Sequence, residues 1–305
     1  MSSNINRDRS DNLMHDIDGA TKGKILSQAL PYIKRFNGKV VVVKLGGSAL
    51  TNNSLSVSFA DDVTWLNSVG IKVLVIHGGG PHIEKQLKKL GKKVSFFEGI
   101  RVTDPETLDI VEMVLAGNVN KEIVELINKS GGFAVGLTGQ DGNILKAKKL
   151  EIKETRNDYS NVDLGLVGEI ENINVQLLIS LLNDNFIPVI APIASGQSGE
   201  TYNINADVVA GQLAQAIKAE KLILMTNTAG VLDNSGKLIP ELDRASIDDL
   251  LKNKFISEGM IPKIKSALKA SESGVKTVHI IDGRVEHSLL LEVLTDSGVG
   301  TMIRT

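Results

Sequence analysis

The stretch Val40-Val41-Val42-Val43-Lys44-Leu45-Gly46-Gly47-Ser48 is echoed thirty-odd residues later by Val73-Leu74-Val75-Ile76-His77-Gly78-Gly79-Gly80-Pro81. Each is a short β-branched apolar run that reads as a buried parallel strand, and each empties into glycines where a helical pattern begins. Glycines at such a junction leave backbone N–H groups bare and let an anion approach a helix N-terminus, whose partial positive charge favours it. Two such turns imply two anionic groups. Neither turn matches the G-x-x-x-x-G-K-[ST] phosphate loop or the G-x-G-x-x-G dinucleotide fingerprint.

The chain has 305 residues, 42% of them hydrophobic and 23% charged, enough for a substantial core in one or two lobes. A net charge of −2 offers no electrostatic basis for binding nucleic acid or an anionic membrane. With no cysteine, disulfides and thiolate catalysis are excluded. His15, His82, His279 and His287 share no metal-ligand spacing, so no protein-held metal is expected. No apolar run approaches the length of a membrane span. Residues 1 to 18 are polar, carry Asp11, Asp16 and Asp18 and lack the apolar centre of a signal peptide, which fits a disordered leader of a cytoplasmic protein.

A first helix is expected over roughly Thr21 to Phe36, with Ile25, Leu26, Ala29, Leu30, Ile33 and Phe36 on one face and a kink at Pro31. The pattern then alternates: strand 39–44, helix 54–69, strand 71–76, helix 81–91. A long helix over 105–129 opens on Thr103-Asp104-Pro105-Glu106, with the cap, proline and acidic residue that a helix start favours. Strands recur at Ala134 to Leu137, Ile187 to Ala191, Leu222 to Met225 and Thr277 to Ile281. This is an α/β pattern, an open and mostly parallel sheet sandwiched by helices, with one extra helix at the N-terminal side. Lys146 to Lys153 and Gly165 to Ile170 are short and partly alternating, as in an antiparallel hairpin on a sheet edge or flap. The expected organisation is a leader over 1–20, a helix over 21–37, and lobes over 38–195 and 196–305 with a cleft between them.

Four further clusters carry polar groups in informative places: Glu98 to Thr103, Tyr202 to Asp207, Thr226 to Asp233 and Glu258 to Lys263. Lys44 ends a buried strand beside a glycine turn, where an ammonium must be solvated or paired. Arg101 precedes a helix start and either grips a carboxylate or forms a surface salt bridge. Asn203 and Asp207 share a face if a helix begins there, although Asn203 or Asn205 also reads as a plain helix cap. His77 either positions a ligand or is a hydrogen-bonded structural residue.

In this order, K-L-G-G-S, H-G-G-G-P, G-I-R-V-T, N-I-N-A-D, A-G-V-L-D and G-M-I-P-K resemble the amino acid kinase superfamily and, within it, the N-acetylglutamate kinases, over about residues 24 to 303. The resemblance implies the amino acid kinase fold and transfer of phosphate from ATP, with nucleotide-borne Mg2+, to the side-chain carboxylate of N-acetyl-L-glutamate in arginine biosynthesis. It puts Lys44 and Lys263 on the transferring phosphoryl group, oriented by Asp207, with Gly46 and Gly47 near the phosphates. Gly79, Gly80, Arg101 and Asn203 then hold the acetylated amino acid in the first lobe, which also dimerises. Asn227, Gly230, Leu232, Phe255, Ser257 and Met260 line the nucleotide in the second. Such chemistry needs no general base, because a carboxylate of pKa about 4.3 is already ionised at neutral pH.

Arginine-inhibited members resemble this chain further, in the extra N-terminal helix and in the run His287 to Glu292 followed by Thr295, Gly298 and Gly300-Thr301. That likeness implies a hexamer built as a trimer of dimers and an L-arginine site drawn from Tyr32, Lys218, His287, Glu292 and Gly298. The sequence departs from the family pattern at Asn227, where T-D-x-x-G is usual, at Gln140, where lysine is common, and at Glu258, where glycine is common. The alternatives are a catalytically weak amino-acid sensor, or a sister kinase acting on carbamate, aspartate or a nucleoside monophosphate.

Overall fold

The computed structural model describes residues 18–152, 163–253, 256, 259–296 and 298–304. Most of the expected leader, together with Lys153, Phe255, Ser257 and Glu258, lies outside these residues. Helix α1 spans Gly19–Phe36 and starts on Asp18, whose carboxylate accepts from the backbone N–H groups of Ala20 and Thr21. It runs unbroken through Pro31 and ends on Lys34 and Arg35, cations that suit the negative end of the helix dipole. Phe36 is buried in the core, whereas Ile25, Leu26 and Leu30 face out.

Strand β1 (Val40–Leu45) lies at the middle of an eight-stranded sheet. The strands β2 (Lys72–His77), β8 (Ile187–Ala191) and β5 (Ala134–Thr138) follow on one side, and β11 (Lys221–Thr226), β13 (Thr277–Asp282), β14 (Gly300–Ile303) and β12 (Glu241–Leu242) on the other. All neighbours are parallel except β13 with β14. The valine run of β1 has a direct cause: Val41, Val43 and Leu45 enter the core on one face, and Val42 enters the core on the other. With both faces covered, no polar alternation survives.

A short 3-10 turn at Gly47–Leu50 leads into α2 (Asn53–Ser68), and α3 (Gly80–Lys89) follows β2 directly. The long helical segment is α4 (Pro105–Glu112), a π-helical stretch Met113–Val119 and α5 (Asn120–Lys129). Its apolar spacing gives no sign of the π stretch. A two-residue hairpin, β3 (Phe96–Phe97) and β4 (Ile100–Arg101), precedes it, turning on Glu98 and Gly99 with φ of 46° and 78°. Arg101 therefore sits at the end of a short strand, ahead of the helix.

The expected flap is an antiparallel pair, β6 (Leu145–Lys149) with β7 (Gly168–Ile173), enlarged by β9 (Ile193–Ser195) and β10 (Thr201–Asn203) into a four-stranded sheet. The remaining helices are α6 (Gln176–Asn183), α7 (Ala206–Ala216), α8 (Arg244–Lys252), α9 (Ile261–Glu272) and α10 (Ser288–Leu294). Asn203 ends β10, so the shared helix face considered for Asn203 and Asp207 is not formed. Asn205 is the cap of α7, its Oδ1 accepting from Asp207 and Val208 N–H. Among the described residues no helix is long and apolar enough to cross a membrane.

Candidate active site

The neighbouring strands β1 and β2 are in register at Leu45 and His77, and Gly78 N–H donates to the Leu45 carbonyl over 2.9 Å. Both glycine turns therefore leave the same edge of the sheet, the carboxyl end at which parallel α/β sheets bind ligands. The first turn of α7 carries Asp207 to this edge, where Lys44 Nζ lies 3.0 Å from its Oδ1 and Lys263 Nζ 3.0 Å from its Oδ2. Lys44 and Asp207 are buried, and Lys263 is the more exposed of the two lysines. Burial alone would raise the Asp207 carboxyl, but the two ammonium groups outweigh it and hold the group below the ordinary carboxylate range. Burial pushes the Lys44 ammonium down, with Asp207 acting against that shift. Gly46 is required by this geometry, since a Cβ there would stand 2.5 Å from Lys44 Nζ.

The second turn opens directly onto α3. Gly79 precedes α3 without a side-chain cap, and Pro81 occupies the first turn. A Cβ on Gly79 would meet Leu115 Cδ2 at 2.3 Å, so only glycine fits against the π-helical stretch. Arg101 is buried beside this turn, its Nη2 3.0 Å from Glu84 Oε1 and its guanidinium 4.7 Å from the Phe96 ring centroid. Arg101 Nη1 is buried without a hydrogen-bond partner among the described residues. An unpaired buried donor of this kind is costly unless a ligand oxygen completes it. Asn203 Nδ2 donates to Thr103 Oγ1 over 3.4 Å, and Thr103 Oγ1 in turn donates to the Arg101 carbonyl.

Of the residues expected on the nucleotide side, Asn227 follows β11 and its Oδ1 accepts from Ser48 N–H and Oγ–H. This places it against Gly47, where a Cβ would stand 2.0 Å from that oxygen. Gly230, at φ 141°, packs against Thr301, and Leu232 bridges to Leu238. The Met260 side chain is in the hydrophobic core. Phe255 and Ser257 lie outside the described residues.

A second polar centre lies between α1, β13 and α10, around a cavity of about 470 Å³ lined by Tyr32, Lys221, His279, Glu292 and Gly298 among others. Glu292 is almost wholly buried, with Lys221 Nζ at 2.8 Å and His279 Nδ1 at 2.6 Å from its Oε1, while Oε2 has no hydrogen-bond partner among the described residues. Tyr32 donates to Asp296 at the rim. His287 and Lys218 do not line this cavity: His287 Nδ1 pairs with Asp62 at 2.6 Å, and Lys218 follows α7 with φ 54°. Lys221 and His279 were not among the residues expected here. His279 shows a signal in the sequence, a polar residue inside an otherwise apolar strand, whereas Lys221 stands first in its strand after Glu220 and has none.

The amino acid kinase family model matches residues 39–282. The chain belongs to the amino acid kinase family. Within it, this family member is 58% identical over 291 residues to the acetylglutamate kinase of Methylobacillus flagellatus, covering 95% of this chain and 99% of that one. It is likewise 58% identical to the acetylglutamate kinase of Aromatoleum aromaticum, with 95% and 97% covered. Among solved structures, N-acetylglutamate synthase from Neisseria gonorrhoeae complexed with coenzyme A and N-acetyl-glutamate has a TM-score of 0.82 at 26% identity. That match covers 92% of this chain and only 63% of the synthase. Giardia lamblia carbamate kinase bound to AMP-PNP, at 18% identity, shares the fold with a TM-score of 0.62 over 88% of this chain and 99% of that one.

Proposed function

We propose that this amino acid kinase transfers the terminal phosphoryl group of MgATP to the side-chain carboxylate of N-acetyl-L-glutamate, giving an acyl phosphate and ADP, as a step of arginine biosynthesis. The observation that carries the reading is the pair of ammonium groups on the two oxygens of buried Asp207, beside two glycine turns at one sheet edge. The acceptor carboxylate is ionised at neutral pH, so the difficulty is the approach of two anions and the negative charge on the phosphoryl oxygens in flight. Lys44 and Lys263, held by Asp207, supply fixed positive charge there without reorganisation during the reaction. The N–H groups around Gly46 and Gly47 meet the phosphates, and Asn227, Gly230, Leu232 and Met260 lie on the nucleotide side. Gly79, Gly80, Arg101 and Asn203 receive the acetylated amino acid, with the free Arg101 Nη1 offered to its other carboxylate. The acetylglutamate kinase names of relatives at 58% identity and the N-acetyl-glutamate bound by the Neisseria synthase support this substrate.

L-Arginine is the ligand we assign to the second centre, because the unpartnered Glu292 Oε2 is a buried acceptor that a guanidinium or an α-ammonium completes. Tyr32 brings α1 to the same cavity. The apolar stripe Ile25, Leu26 and Leu30, together with a neighbouring groove that includes Trp65, Leu290 and Leu294, fits pairing of α1 between dimers into a hexamer. The test is ADP release with N-acetyl-L-glutamate, carbamate, aspartate and a nucleoside monophosphate, each with and without L-arginine. Turnover restricted to N-acetyl-L-glutamate and suppressed by arginine is expected. Preference for another acceptor would overturn the substrate, and insensitivity to arginine would overturn the second site.

A further inference from the structure

Behind the second glycine turn lies a buried polar chain with no part in the chemistry above. Asn120, the first residue after the π-helical stretch, donates through Nδ2 to the Val189 carbonyl over 2.9 Å, and the same Nδ2 lies 3.4 Å from the Leu137 carbonyl. Two carbonyl partners require the amide nitrogen on that side. This nitrogen is also 3.2 Å from His77 Nε2, and its two hydrogens go to the two nearer partners, the Val189 carbonyl and His77 Nε2, which makes Nε2 the acceptor and leaves Leu137 the weaker contact. The ring proton is then on Nδ1, 2.8 Å from the Gly78 carbonyl. His77 is fully buried, and burial lowers its pKa to about 4, so the ring is neutral at working pH.

The Gly78 carbonyl belongs to the same peptide unit as the Gly79 N–H, and in a trans peptide the two point in opposite directions. Drawing the oxygen back toward His77 aims the N–H forward, away from the ring, and that N–H has no partner among the described residues. A peptide between two glycines has the least steric resistance to turning over. Turned over, it would present a carbonyl dipole instead of a donor to an incoming anion. Leu115 and Val119 press on Gly79 from the same helical segment that supplies Asn120. One element thus supports the turn through a packing contact and a hydrogen-bond chain.

We propose that His77, its tautomer set by Asn120, is a positioning residue that keeps the Gly78–Gly79 peptide oriented with its N–H toward the bound N-acetyl-L-glutamate. The inference rests on the substrate assignment above. Two polar substitutions separate the two ring nitrogens. Asparagine in His77→Asn places its amide nitrogen near the Nδ1 position and retains the donor to Gly78. Glutamine in His77→Gln places its amide near Nε2 and leaves the Gly78 carbonyl unheld.

Wild-type turnover of N-acetyl-L-glutamate is measured first, since its absence would overturn the substrate assignment and not the positioning role. Given that turnover, His77→Gln is expected to raise the KM for N-acetyl-L-glutamate about tenfold, the loss typical of one buried hydrogen bond, with the KM for ATP unchanged. His77→Asn is expected to restore most of it. Should His77→Gln fail to fold, Asn120→Ala serves instead, with the same KM raised about threefold as the ring loses its fixed tautomer. A wild-type KM for N-acetyl-L-glutamate in His77→Gln, or in Asn120→Ala where that variant stands in for it, would overturn the proposal, as would a KM raised as much in His77→Asn as in His77→Gln.

Discussion

Asn227, which follows β11, is tied to the first glycine turn: its Oδ1 accepts both the backbone N–H and the hydroxyl of Ser48, 179 residues away in sequence. The usual aspartate would satisfy the same donors while adding a negative charge beside the turn proposed to meet the phosphates. The neutral amide satisfies them without that charge. The departure from the family pattern is therefore compatible with nucleotide binding.

Asn227→Ala frees Ser48 and loosens the turn on Gly47. The expected result is a KM for ATP raised about fivefold, the equivalent of one hydrogen bond, with the KM for N-acetyl-L-glutamate unchanged. Initial-rate measurements with each substrate varied in turn check this. Equal effects on both substrates would place Asn227 outside the nucleotide side.

The central sheet was legible because β1 and β2 are buried on both faces, and continuous valine runs ending in glycines have few other readings. Lys44 was legible for the same reason, a charge at the end of an apolar run. Arg101 stands out in the sequence as a candidate but its hairpin does not, because each strand is two residues long and shows no alternation. Asn203 was drawn toward the helix by its spacing from Asp207, whereas it pairs in β10 and Asn205 provides the cap. The contacts that finish the site, Asn227 to Ser48 and Asn120 to His77, join residues far apart in the chain. Local periodicity carries no trace of them.

Glu292 carries a pH prediction. Burial would raise its carboxyl, but His279 and Lys221 outweigh that and hold it at about 2, against 4.5 for an unperturbed glutamate. A lowered carboxylate pKa stabilises the fold above the unfolded value, and the contribution is lost as pH falls from about 4.5 toward about 2. At neutral pH it amounts to roughly 3 kcal/mol. Thermal melts should therefore show Glu292→Gln less stable than wild type at pH 7, with the gap closing through that acid window. A gap independent of pH would contradict the charged pairing.

The exposed face of α1 carries the assembly prediction. Ile25, Leu26 and Leu30 are 54%, 71% and 48% exposed in the single chain, an apolar stripe that a symmetric partner can cover. Leu26→Glu combined with Leu30→Glu leaves Phe36 and the core untouched and keeps good helix formers in place. Light scattering should show the proposed hexamer reduced to a dimer, with turnover retained and the proposed arginine inhibition weakened. A double variant that remains hexameric and fully inhibited would leave α1 as a helix of its own subunit alone.

The most direct test of the account is kcat for Lys44→Ala and Lys263→Ala with saturating MgATP and N-acetyl-L-glutamate, both residues lying 3.0 Å from Asp207. Charges that act mainly on the phosphoryl group in flight affect turnover more than ground-state binding. Each variant is expected to lose roughly 10²-fold or more in kcat, by comparison with removal of one oxyanion donor, while the KM for N-acetyl-L-glutamate changes far less. A near-wild-type kcat in either variant would contradict the claim that these two ammonium groups carry the transfer.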